Sequence, residues 1–149
     1  MCRGGECPFD RFAATLGGCG LPSPCEALTG ETERTPELLQ CYLDVLADGG
    51  PMYYEVDVPM SNEVTGETAT ARRVVAVDRG VAIRLDALGF HRPSTQCTLQ
   101  GSTFFFGCDP DEPMNVNVEN DQGLIERVPC TDPRAWLTGC EAAAPVCPG

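Results

Sequence analysis

The sequence predicts an α+β fold: two N-terminal helices packed on one face of an antiparallel β-meander, disulfide-rich, with a cysteine-stapled C-terminal tail. Three observations carry that reading. Apolar residues recur at helical spacing before residue 48 and at a spacing of two from residue 51. The two periodicities are segregated along the chain, as they are when helices cover one face of an antiparallel sheet. Ten cysteines in 149 residues then supply cross-links along most of the chain. The length suits one domain, 1–149, with a helical part at 7–48, a sheet at 51–128 and a stapled tail at 129–149.

Residues 8–17, PFDRFAATLG, place Phe9, Phe12, Ala13 and Leu16 on one helical face. Pro8 suits the start and Gly17–Gly18 the stop. Residues 19–34 are rich in Pro, Gly and Cys and read as loop. In TPELLQCYLDVLADGG, Thr35 is an N-cap, Pro36 stands at N1 and Glu37 lies in the first turn. Leu39, Tyr42, Leu43 and Leu46 form the apolar stripe, widened by Leu38, Cys41 and Val45, and Gly49–Gly50–Pro51 ends the helix.

The period then becomes two. MYYEVDVP sets Tyr54, Val56 and Val58 against Tyr53, Glu55 and Asp57. ARRVVAVDRGVAIRLDALG reads as a hairpin, with arms Arg73–Val77 and Val81–Leu85 about a turn at Asp78-Arg79-Gly80. QCTLQGSTFFFGC reads as a further strand, or as an irregular piece clamped by Cys97 and Cys108. MNVNVE and GLIERV form a last hairpin about Asn120–Gly123. In the tail, Asp132 caps a single helical turn that starts at Pro133 and ends at Gly139.

The cysteines are Cys2, Cys7, Cys19, Cys25, Cys41, Cys97, Cys108, Cys130, Cys140 and Cys147. Their number is even and no CxxC pair occurs, so full disulfide pairing is expected rather than a zinc knuckle or a thioredoxin-like site. The spacing does not dictate a connectivity. Disulfides imply an oxidising compartment: secreted, periplasmic or on the outer envelope. MCRGGECPFD has no apolar core of a signal peptide, so the reading expects an export signal upstream or already removed. Cys2 then has two readings, a disulfide partner or the lipidated first residue of a bacterial lipoprotein.

Acidic residues number 22 and basic residues 10, all arginine, for a net charge of −12. Such a surface repels nucleic acid and anionic membranes. No apolar run of about 18 residues exists to span a bilayer. Arginine without lysine, beside much Ala, Gly and Pro, is the usage of a GC-rich genome.

No motif for catalysis stands out. His91 is the one histidine, and Ser94 lies near it, but neither GxSxG nor HExxH is present. GxGxxG and GxxxxGK[ST] are absent as well. The chemically suggestive stretch is TFFFGCDPDEPMNVNVENDQG. Asp109, Asp111, Glu112, Asn115, Asn117, Glu119, Asn120 and Asp121 offer the oxygen ligands that calcium requires. Neither EF-hand frame fits: Asn120 occupies the glycine position in one, and Pro113 interrupts the other. The alternative is a strand whose wet face carries Asn115, Asn117, Glu119 and Asp121, with Met114, Val116 and Val118 inside. Phe104, Phe105 and Phe106 cannot all face one way on a strand, so core and an exposed partner-binding aromatic both remain open. Tyr53–Tyr54 poses the same question, and Trp136 reads as packing.

CPFDRFAATL, the following CG, ELLQCYLDVLADGGP with its internal cysteine, the aromatic strand and RRVVAVDRGVAIRLD together resemble cysteine-rich secreted proteins or lipoproteins of myxobacteria, over about residues 7–108. The resemblance implies an exported compartment and a fold, and brings no catalytic residues. Two helices followed by a meander are also similar, at fold level, to small envelope modules of the BamE and β-lactamase-inhibitor type. The expected function is a secreted or envelope-anchored, non-catalytic structural or interaction module with a protein or polymer partner and no cofactor. The alternatives are a calcium-dependent binding module using the 109–121 loop, and an enzyme or inhibitor of unrecognised type.

Overall fold

The computed structural model describes residues 16, 18–30, 32–61, 68–88, 90–91, 94–119, 123–144 and 146–148. Most of the expected first helix, Cys2, Cys7, Asn120 and Asp121 lie outside the described residues. The fold is α+β, antiparallel and disulfide-rich. Helix α1 (Pro36–Ala47) is followed by β1 (Met52–Ser61), β2 (Thr68–Asp78), β3 (Val81–Leu88), β4 (Phe90–His91) and β5 (Thr95–Leu99). Then come the short helix α2 (Ser102–Phe106), β6 (Asn115–Glu119), β7 (Ile125–Pro129), a 3-10 turn at Pro133–Ala135 and β8 (Leu137–Ala142).

Helix α1 forms as its sequence dictates. The Thr35 hydroxyl accepts from the Leu38 N–H at 3.2 Å, satisfying one of the orphan donors of the first turn. Leu39, Tyr42, Leu43, Leu46 and Ala47 are buried. Beyond the helix, Gly50 has φ +90°, and a Cβ there would lie 2.8 Å from the Val77 carbonyl oxygen. The position admits only glycine, so the helix stops where the chain must pass close to β2.

Strands run in the order β1-β2-β3-β5-β8, with β4 beside β3, while β6 and β7 form a separate two-stranded sheet. The β2–β3 turn has Arg79 at φ +53° and Gly80 at φ +78°, the pair of left-handed residues that a tight hairpin needs. It sets Asp78 opposite Val81, and therefore Val75 opposite Arg84 and Arg73 opposite Asp86. The β1 edge is covered by the preceding loop. Leu28 bridges to Val56, and the Tyr53 N–H donates to the Pro22 carbonyl at 2.8 Å. Asp57 fastens this loop, accepting from the Gly30 N–H and from Arg72 Nε.

Both faces of the central strands are buried, which corrects the expectation of a sheet covered on one face. On one side, α1 packs with Met52, Tyr54, Val56, Val58, Val75, Val77 and Ala82. On the other, Val74, Ala76, Ile83 and Leu85 pack with Leu16, the last residue of the predicted first helical stripe. Leu16 therefore lies on the opposite face from α1.

Two further expectations change. TFFF is a helical turn, not a strand: Gly101 and Gly107 bracket it, and successive side chains fan around its axis. Phe105 is buried, Phe104 half-buried and Phe106 73% exposed. The tail turn ends at Ala135 rather than Gly139, although Asp132 does cap it, accepting from the Arg134 N–H at 2.9 Å. The chain after Trp136 instead pairs with β5 as an edge strand of the large sheet. Four disulfides are present among the described residues: Cys19–Cys147, Cys25–Cys41, Cys97–Cys140 and Cys108–Cys130. Among those residues, no helix is long and apolar enough to cross a membrane.

Candidate functional site: a cleft floored by two arginines

Period-two alternation along β1, β2 and β3 sends Tyr54, Val56 and Val58, then Arg73, Val75 and Val77, then Ala82, Arg84 and Asp86 to the same sheet face. At the α1 end, that face meets an aromatic cluster. Tyr42 stacks on Trp136 with centroids 5.6 Å apart, and Tyr54 meets both edge-on. The Trp136 indole N–H donates to the Cys130 carbonyl at 3.0 Å and the Tyr42 hydroxyl to the Glu26 carbonyl at 2.6 Å. Trp136 thus has the packing role read from the sequence.

Towards the other end, the face turns from apolar to charged. Arg73 donates through Nε and Nη2 to the two oxygens of Asp86, at 2.8 and 3.2 Å, a side-on fork. Both side chains are more than nine-tenths buried, at 7% and 6% exposed. Arg84 Nε lies 3.4 Å from the same carboxylate, and its Nη1 donates to Cys140 Sγ at 3.6 Å, a weak acceptor. One carboxylate therefore serves two guanidinium groups. Burial first, and then the charge of Arg73, depress the Arg84 pKa below its ordinary value.

These residues floor a cleft of about 510 Å³ between the large sheet and the β6–β7 hairpin. One wall is formed by Arg134, Leu137 and Thr138, the other by Asn117, Val118 and Glu119. Arg134 lends no spare charge to it. Its Nη2 pairs with Asp132 at 2.9 Å and its Nη1 with Glu126 at 3.1 Å, which ties the hairpin to the 3-10 turn. Hydrogen bonding to Asp132 is the main reason that its pKa is raised.

Two buried polar atoms of the described residues have no hydrogen-bond partner: Arg73 Nη1 and the Tyr54 hydroxyl. They belong to the same corner. Tyr54 faces Val75, one alternate position from Arg73, and Arg73 and Arg84 are among the charges acting on its phenol. Burial dominates there and drives the Tyr54 pKa upward. Two donors without acceptors beside excess positive charge make this corner chemically incomplete.

Of the sequence-predicted metal ligands, Asn117 and Glu119 stand in the cleft wall and the other described ones fall elsewhere. Asn115, Asn117 and Glu119 alternate along the exposed side of β6, so the first and last are about 13 Å apart along the strand. The Asp109 carboxylate accepts from the Asp111 N–H at 2.9 Å, closing a local turn. Asp111 and Glu112 are exposed, and Asp121 lies outside the described residues. Among the described residues, no three His, Cys, Asp or Glu side chains come together as metal ligands. Ser94 is buried and donates to the Ala143 carbonyl, a structural tie. His91 contributes its backbone to β4 opposite Ala87, and its side chain lies outside the described part of the structure. Tyr53 is half-buried against the second core cluster, so neither tyrosine is the exposed sheet-edge aromatic that the sequence left open.

Comparison with protein-family models, with curated proteins and with solved structures gives no match.

Proposed function

We propose that this protein is a secreted or envelope-anchored, non-catalytic binding module, and that it meets its partner through the cleft floored by Arg73 and Arg84. The observation that carries the proposal is the incomplete corner. A buried carboxylate is shared by two guanidinium groups above an unpartnered Arg73 Nη1 and an unpartnered Tyr54 hydroxyl, which leaves the part-exposed Arg84 with positive charge that a bound group would answer. Binding is favoured over catalysis by what the cleft offers. Asp86 is engaged by two arginines and Cys140 is in a disulfide, so neither is disposed as a free nucleophile or proton carrier. Four disulfides support an oxidising compartment, as does the resemblance of residues 7–108 to secreted cysteine-rich proteins.

The test uses the oxidised full chain, isotopically labelled, and a panel of small probes: acylated amino acids, their amides, neutral sugars and uronic acids. Saturable shifts confined to Arg84, Gln100, Thr138 and their neighbours are expected. The same sample, offered chromogenic esters and glycosides, should leave them intact. Shifts lying wholly outside the cleft, or turnover abolished by a substitution in its walls, would overturn the proposal.

A further inference from the structure

We propose that the cleft takes a single planar carboxylate, carried by an otherwise uncharged ligand, on the exposed edge of Arg84 with Arg73 and Tyr54 behind it. The inference rests on the binding reading above and names the ligand's chemistry.

Charge sets the sign and the size. Among the described residues, Arg73 and Arg84 carry two positive charges against the one negative charge of Asp86, which leaves the floor one positive charge in excess. Arg134 is saturated by Asp132 and Glu126 and adds nothing. Glu119 stands in the opposite wall, and the whole chain carries −12. One added negative charge neutralises the floor. A dianion would leave a surplus of negative charge in a part-buried cleft of an acidic protein.

Geometry sets the shape. Arg84 is the accessible member, with its side chain 25% exposed against 7% for Arg73. Its weak donation to the Cys140 sulfur is readily exchanged for a carboxylate oxygen, and the guanidinium fork matches a planar carboxylate. Arg73 Nη1 and the Tyr54 hydroxyl are covered, one layer deeper, and lack an acceptor. An anion lodged on Arg84 supplies the negative potential that both face. Burial is the first cause of the depressed Arg84 pKa, and the second, repulsion by Arg73, is offset by the same event.

The experiment follows the arginine Nε–H signals of the oxidised full chain at fixed ionic strength during titration with three probes. These are N-acetylglycine, N-acetylglycinamide and inorganic phosphate. N-acetylglycine should shift the Arg84 signal saturably, at least about tenfold more tightly than its amide, the worth of one charge-assisted hydrogen bond. Arg84→Gln should abolish that preference while keeping the amide fingerprint. Arg84→Lys, which keeps the charge and loses the fork, should retain only part of it. Equal response to acid and amide would overturn the carboxylate assignment and leave the binding reading standing. Tighter binding of phosphate would overturn the ligand class. No response at any cleft residue to any probe would overturn both, and would assign the unpartnered donors to trapped water.

Discussion

Removing the Asp86 carboxylate is the sharpest perturbation of this structure. Asp86→Ala leaves Arg73, with 7% of its side chain exposed, without its forked partner and places it beside Arg84 with no intervening negative charge. Breaking a buried ion pair from one side costs about 3–5 kcal/mol, because the surviving charge cannot be rehydrated. At about 2–4 °C per kcal/mol for a chain of this size, the melting temperature should fall by about 6–20 °C. The double substitution Arg73→Met, Asp86→Leu removes both buried charges and fills the space with apolar atoms. It should recover most of the loss, since well-packed hydrophobic replacements of such pairs are often neutral or better. The assay is thermal and denaturant unfolding followed by circular dichroism, with all disulfides kept oxidised. A loss below about 1 kcal/mol in Asp86→Ala would place the pair among solvent-screened surface bridges. A double variant no more stable than the single one would show that shape, not charge, holds this corner together. Either result would remove the physical basis of the cleft.

Four further outcomes are expected. Phe105→Ala should cost about 3–5 kcal/mol and Phe106→Ser less than about 0.5 kcal/mol, by denaturant unfolding, because the first ring is buried and the second is in water. Removing Cys19–Cys147, which spans 128 residues, should destabilise the chain by about 5 kcal/mol in the chain-entropy account; Cys25–Cys41, spanning 16, should cost about 3. Burial raises the Tyr42 and Tyr53 pKa values to about 12, above the unfolded value of about 10, so their contribution is complete below pH 10 and drains as pH rises from there. A phenolate absorbance titration should show these two ionising late, together with alkaline unfolding. Calcium should leave the melting temperature unchanged, given how β6 spreads its oxygen ligands; a rise that EDTA reverses would revive the metal reading of residues 109–121.

The elements with one wet face were the most legible. Helix α1 shows its cap, its stripe and its stop, and β1 shows strict alternation; both appear where the sequence put them. The β6–β7 hairpin is equally plain, with Val116 and Val118 half-buried between exposed Asn115, Asn117 and Glu119. TFFF misled because a short apolar run has no period of its own. Five residues suffice for a helical turn when glycines bracket them. The cleft was hidden for a related reason. In RRVVAVD both faces are buried, so apolar residues fill both phases and the run conceals which arginine shares the inner one. The register held the missing signal. A two-residue turn at Arg79–Gly80 pairs residues whose numbers sum to a constant, which sets Arg73 against Asp86 and Val75 against Arg84. Counting outward from that turn would have found two arginines and an aspartate on one face. What no count could supply was the third layer, because the hairpin and the tail arrive there through Arg134, Glu126 and Asp132 from far along the chain.

The charge distribution gives the cleft its meaning. The chain is acidic, and outside the cleft floor the arginines with ion pairs among the described residues spend their charge holding elements together. Arg72 binds Glu55 and Asp57 on β1, and Arg134 binds Asp132 and Glu126 across the hairpin. In both, one cation meets two carboxylates. The floor of the cleft inverts that ratio, with two cations on one carboxylate. A fold that needed only a buried tie could have used a single arginine or an apolar pair at less desolvation cost. The second guanidinium, part-exposed, adds to that tie only a donation to the Cys140 sulfur of β8, a weak acceptor. Its excess charge also lies within a chain of net charge −12, whose field turns away polyanions before they reach the cleft. A ligand that passes this filter carries little charge of its own and ends in one acidic group, which is what an inverted ion pair in an acidic chain selects.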